Sequence, residues 1–237
     1  SKGLQGKELA EMGDMAEAGV VSFSDDGHYV ENAAFRRRAL EYSSMFNKMV
    51  IDHAEDITLT KNGHMHEGIV SYELGVIGRP AVAEDLAVAR DILLSEMTGG
   101  HIHIAHVSSK NTVDMVRRAK AKGLNVTCEV TSQHLSFTDE YLRDYNPAFK
   151  MAPPIRSEDH RQALLEGLKD GTIDAIITDH APHAPHEKEL TMTKAAFGIV
   201  GSETAFSQLY TKFVKPGVFS LDFLVKKMSE NVADTFG

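Results

Sequence analysis

DGTIDAIITDHAPH, residues 170–183, holds an apolar run from Ile173 to Thr178 that stops at Asp179, with His180 and His183 just beyond it. Three other apolar runs stop the same way: VVSFSDDG delivers Asp26, MVIDHAED delivers His53 and HIHIAHVSS delivers His106. A run of this kind ending at a single His or Asp is how a parallel barrel presents ligands at its catalytic rim, where strands end and loops begin. Four such endings in one chain read as a metal-dependent hydrolase.

Working outward, short apolar runs alternate with longer segments of helical period, the signature of repeated βα units on a parallel sheet. The strand-like runs are Val20–Ser24, Met49–His53, His101–Val107, Val126–Thr131 and Ile173–Thr178. Their continuous apolar character predicts strands buried on both faces. Between them, helices are predicted over Glu31–Tyr42, Ala81–Met97, Val113–Ala121 and Glu158–Leu168. The last of these follows a capping-type Ser157 and stops at Gly171. Helical patterns over about 203–214 and 220–235 finish the chain, and Gly3–Glu17 opens it as a helix-like segment. With no repeat, low-complexity tract or Gly/Ser/Pro-rich linker, residues 1–237 read as one domain. A closed barrel of this type needs eight strands. The five found here predict the later part of such a barrel, with an open five-stranded sheet as the alternative.

Composition narrows the partners. Lys plus Arg is 25 against 34 Asp plus Glu, a net charge of −9, without the basic run that phosphate-backbone binding uses, so nucleic acid is not expected. No stretch reaches the roughly 20 apolar residues of a bilayer span, and no membrane association is expected. The lone cysteine, Cys128, lies inside VTCEVT and reads as a buried core thiol; a cytoplasmic location is expected.

Imidazoles and carboxylates converging on one rim can hold zinc, and a carboxylate can bridge two metals. Bound water then ionises near neutral pH, and an aspartate beside it can take that proton and return it to a leaving nitrogen. Asp179 fits that role. Each residue also has a plainer reading. DDG at 25–27 makes a good turn, and His53 could simply be satisfied at a strand end. Strand alternation puts His101 and His103 on one face and His106 on the other.

The motifs, in order, are FSDDG, HAED, HEG at His66–Gly68, HIHIAHVSS, VTCEVT, PPIR, DGTIDAIITDHAPH, and EK followed by AAFGIVGSETAF. Carried essentially end to end in this spacing, they resemble the class I, bacterial-type dihydroorotases of the amidohydrolase superfamily. The resemblance implies an α/β fold, a (β/α)8 TIM-type barrel of which this chain holds about strands 4–8 and looks truncated at both ends. It implies a Zn2+ centre with Asp26 bridging two ions, His53 and His106 on the second ion, and Asp179 on the first as catalytic acid/base. It also implies His183 at the substrate carboxylate, with Phe197 and Gly198 lining the substrate ring. The implied reaction is reversible hydrolysis of dihydroorotate to N-carbamoyl-aspartate in pyrimidine biosynthesis, in a possible homodimer or with aspartate transcarbamoylase.

Three departures from the family pattern stand out. The His-x-His of the first barrel strand is absent, and the resemblance assigns the HIHIAH strand to His106 rather than to His101 and His103. Ala152 stands before the double proline where the family commonly has Asn, and Gln133-His134 replaces a His-His pair. Two rival readings follow. One is a hydantoinase or allantoinase relative, which usually carries a carboxylated lysine at the bridging position, where this chain has Asp26. The other is a non-catalytic scaffold subunit of aspartate transcarbamoylase.

Overall fold

The computed structural model describes residues 1–237. Seven short strands form: β1 (Ser22–Ser24), β2 (Met49–Asp52), β3 (Met65–His66), β4 (Gly78–Arg79), β5 (Ile102–Ile104), β6 (Val126–Thr131) and β7 (Ala175–Ile177). Five make one sheet in the order β1-β2-β5-β6-β7, with every pairing parallel, and β3 with β4 make a separate two-stranded parallel ribbon. The five main strands are those predicted, two or three residues shorter at several ends. The ribbon was not foreseen, because two-residue strands carry no readable period.

Helices Ala33–Ser44, Val82–Thr98, Lys110–Ala121 and Glu158–Lys169 cross over between the main strands and pack on one another in sequence order. Asn32 caps the first by accepting from the Phe35 amide, and Ser109 caps the third from the Asn111 amide. Gly99, Gly123 and Gly171 close three of them. Ser157 precedes its helix as expected, but its hydroxyl donates to Asp159 at 2.5 Å instead of capping the backbone.

The opening segment differs from its prediction. Only Met12–Glu17 is α-helical; Lys2–Leu4 makes one irregular 3-10 turn, and Gly3, Leu4 and Gly6 at φ of 57°, 56° and 61° lie outside the right-handed helical region and keep a helix from running through.

Register gives the sheet two unlike faces. Val50, Ile102 and Val126 lie opposite one another, and with Ile104, Cys128, Val130 and Ile176 they enter the main core beneath the helices. The alternate positions Ile51, His103 and Thr127 also lie opposite one another and belong to the other face, where Thr127 Oγ1 sits 2.8 Å from ring nitrogens of both His101 and His103. Both faces are largely buried, as expected, but this second face is largely polar, and in a barrel it turns inward. Cys128 is fully buried with Sγ 3.5 Å from the Thr172 carbonyl, and burial pushes its thiol up, so the core-thiol reading holds.

Asp52 at the end of β2 points to the helices. It pairs with Arg36 and lies 3.7 Å from Arg90, while Arg90 also holds Asp91 at 2.5 Å. This buried cluster ties two helices to the strand that carries His53.

Candidate metal centre

Parallel register brings the residues after β1, β2, β5 and β7 out at one edge of the sheet. At two of these exits the chain turns sharply: His106 has φ 34° and Asp179 φ 44°, backbone that β-carbon-bearing residues rarely adopt. Such strain costs on the order of 1–3 kcal/mol and concentrates at functional sites. After β1, Gly27 takes the turn at φ 76°, and the Asp26 amide donates to Ser24 Oγ at 2.9 Å.

Asp26, His53 and His106 each place one ligand atom within 4.8 Å of the others. His53 Nδ1 lies 2.8 Å from His106 Nε2, with the rings crossed at 81°. Both nitrogens therefore aim at one point instead of at separate partners. His106 is buried, and burial first, then the neighbouring His53 and His134, push its pKa well below the usual range, so it stands neutral with a free lone pair. Asp26 is exposed and adds an anionic oxygen. Two imidazoles and a carboxylate are a donor set that suits zinc. The residues fit the ion.

Asp179 is not one of the three converging groups. Its carboxyl is partly buried and its pKa is raised, first by burial and then by the Asp26 charge, with His53 pulling the other way. It therefore responds to the same centre and holds a proton more readily than an ordinary aspartate. Gln133 donates to the Thr178 carbonyl at 2.9 Å and fixes the residue before it. His134 is no additional ligand: Thr131 Oγ1 at 2.7 Å and the Pro153 carbonyl at 3.1 Å take both ring nitrogens.

The predicted substrate residues form a second group. His183 is exposed and bonds the Phe197 carbonyl through Nε2 at 2.8 Å. Gly198 is buried at φ 143°, and a Cβ there would sit 2.5 Å from the Ala181 carbonyl oxygen, so only glycine fits. The Phe197 ring lies under Arg79, 5.0 Å from the guanidinium, and stacks on His64 at 6.4 Å. Arg79 pairs with Glu55, whose Oε2 is 3.9 Å from His53 Nε2. Contacts thus run from Phe197 through Arg79 and Glu55 to His53.

Several residues that support the site are assigned no role by the motifs. Glu84, on a helix, accepts the Ser108 and Ser109 amides at 3.0 Å each and holds the turn that follows His106. Arg156 of PPIR is buried against it, 3.4 Å from Glu84 Oε2, and donates to Ser108 Oγ at 2.7 Å. Arg79 comes from the unforeseen ribbon, and His64 immediately precedes its first strand. Only their charge or ring marks them in the sequence, and nothing marks their partners.

A family profile described as "Dihydro-orotase-like" matches residues 3–112. A curated dihydroorotase from Pelotomaculum thermopropionicum is 51% identical over 237 residues, all of this chain and 56% of that protein. One from Syntrophus aciditrophicus is 50% identical over 98% of this chain and 54% of its own length. The chain thus spans about half the length of the curated relatives it matches. Among solved structures, the L-hydantoinase (dihydropyrimidinase) of Arthrobacter aurescens aligns with a TM-score of 0.84 at 26% identity, covering 96% of this chain and 53% of that one. A D-hydantoinase from a Thermus species aligns with a TM-score of 0.81 at 23% identity and shares the fold. With an all-parallel α/β sheet, polar strand ends converging on one edge and half-identical relatives along its whole length, the chain belongs to the dihydroorotase family, on a (β/α)-barrel framework of which its sheet supplies five strands.

Proposed function

We propose that this protein hydrolyses the cyclic amide of dihydroorotate, reversibly giving N-carbamoyl-aspartate, in the synthesis of pyrimidines. The observation that carries the proposal is the convergence of Asp26, His53 and His106 beside an aspartate whose carboxyl is pushed toward its protonated form by Asp26 and burial. Asp26, His53 and His106 would hold zinc, with Asp179 completing the set. Zinc, when bound, lowers the pKa of its water toward neutrality and polarises the amide carbonyl.

The chain's own residues do the rest. Asp179 takes the proton of the attacking water at its carboxylate and delivers it to the ring nitrogen as the C–N bond breaks, so the proton count closes without another donor. His183, exposed at the mouth of the loop, offers a ring nitrogen to the substrate carboxylate. Phe197 and Gly198 supply an apolar edge and a close backbone approach for the ring. Glu84 and Arg156 keep the turn after His106 in place, so that its imidazole is aimed.

Ring opening of dihydroorotate by zinc-supplemented protein, with Asp179→Asn as control, tests this reading. Turnover lost in the variant with metal retained supports it. Turnover of hydantoin in preference to dihydroorotate would move the protein to the hydantoinase class. Bound zinc with no turnover of either, at the full length of its relatives, would favour a scaffold, for which aspartate transcarbamoylase or a second copy of the chain is the partner to try.

A further inference from the structure

Two lysines outside the metal centre hold the segment that carries Phe197 and Gly198. Lys150 is 1% exposed. Its ammonium donates to the Met192 carbonyl at 2.8 Å and the Ala195 carbonyl at 2.7 Å, and sits 4.2 Å from the centre of the Phe197 ring. Lys188, half-buried, reaches the same segment. Its ammonium donates to the carbonyls of Ala196 at 3.0 Å, Gly198 at 2.9 Å and Lys150 at 3.3 Å, using all three of its hydrogens. The Gly198 amide closes the arrangement by donating to the Lys150 carbonyl at 2.9 Å.

Neither ammonium has a carboxylate within 4 Å. A sequestered cation without a counter-ion is costly, and a methionine of similar length would pack the same space without that cost. What the charge supplies here is the grip on backbone. Five carbonyl oxygens from residues 150 and 192–198 converge on two cations, and hydrogen bonds to a charged donor are about twice as strong as neutral ones. Residues 192–198 form no helix or strand, and the two lysines replace the missing secondary structure.

We propose that Lys150 and Lys188 are positioning residues: together they clamp residues 192–198 so that Phe197 and Gly198 meet the substrate ring. The inference deepens the dihydroorotase reading and rests on it for the identity of the ring. The clamp itself rests on the contacts alone. Arg79 and His64 hold the Phe197 ring from the ribbon side, whereas the lysines hold its backbone.

The test pairs Lys150→Met with Lys188→Met and reads amide hydrogen exchange over residues 190–200 in the substrate-free, zinc-supplemented protein, alongside steady-state kinetics on dihydroorotate. The expected result is a loss of about tenfold or more in local protection from breaking charged hydrogen bonds, while the core strands exchange as before. KM is expected to rise about tenfold with kcat within about threefold, and Lys188→Arg is expected to restore part of both. A residue serving only global stability would lower the melting temperature without that KM-against-kcat split. Unchanged local exchange in both variants overturns the clamp, whatever the kinetics. Should Lys150→Met not fold, Lys188→Met decides alone, since it frees three carbonyls from a half-buried position. If the unmodified protein leaves dihydroorotate intact, the exchange measurement still scores the clamp, and only the functional reading fails.

Discussion

The rim and the loop beside it are built by opposite means. Asp26, His53, His106 and Asp179 are fixed by where parallel strands stop, so the register of one sheet places all four. His183, Phe197 and Gly198 lie on a segment with almost no secondary structure, placed by side chains reaching in from far along the sequence: Lys150, Arg79 and His64. The difference teaches that metal-type groups can be read from strand punctuation, while the groups on the loop beside them depend on long-range contacts that leave no local pattern. It also predicts different failures. Rim substitutions should remove metal or turnover and spare the fold, whereas loop substitutions should change substrate affinity and local order.

The largest effect should come from Asp179→Asn. A positioned acid/base contributes about 10²–10⁴ in rate, so turnover should fall by roughly 10³ or more while circular dichroism and zinc content stay near those of the unmodified protein. Near-normal turnover would remove Asp179 from the mechanism and leave the rim as a metal-holding feature only. His106→Ala should weaken zinc binding by more than the roughly 10–100-fold typical of losing an outer-sphere partner, measured by chelator competition. An unchanged affinity would mean that the three-residue convergence is not the ion's site.

Arg156→Leu tests whether the rim needs its buried support. Removing one partner of a buried pair costs about 3–5 kcal/mol, and the Glu84 carboxylate would be left among the amides after His106. Urea unfolding reads the loss, and a change under ~1 kcal/mol would show that the amides alone satisfy Glu84. On the loop side, Gly198→Ala forces a Cβ to within 2.5 Å of the Ala181 carbonyl at a φ of 143°. The expected cost is about 1–3 kcal/mol with a raised KM, smaller than the rim effects and confined to the loop. A crystal structure of the variant with residues 195–200 unmoved would contradict the tightness seen here.

The subtlest prediction concerns pH. Burial, then the charges of Lys188 and Arg79, push the Lys150 ammonium down to about 8 from its ordinary 10.5. Between those values the folded protein binds fewer protons at this site than the unfolded chain, so its contribution to stability rises with pH and the cost of the buried cation is greatest below about 8. Relative to Lys150→Met, the unmodified protein should therefore gain stability as pH rises from about 8 to 10.5, read as a narrowing or reversing gap in chemical-denaturation midpoints. A gap independent of pH across that window would mean the cation is effectively solvated. The amine keeps two hydrogens when neutral, so the contacts to Met192 and Ala195 can persist.

The sequence by itself determined the parallel α/β class, the five main strands, the crossover helices and the rim residues. Each is written as a local period with local punctuation: an apolar run, then His or Asp, then a turn. It determined the residues of the substrate loop only through family resemblance. Tertiary structure alone decided that His53 and His106 aim at one point, that His134 is occupied by Thr131 and Pro153, and that the second sheet face is polar. It alone decided that a two-stranded ribbon carries Arg79 to the Phe197 ring and that Lys150 is a buried cation, when lysine in sequence reads as surface. The physical reason is range. Backbone hydrogen bonding and side-chain alternation act over a few neighbouring residues and leave a period. Contacts such as those of Lys150 with Met192 and of Arg79 with the Phe197 ring join residues far apart in the sequence, and only the folded chain brings them together.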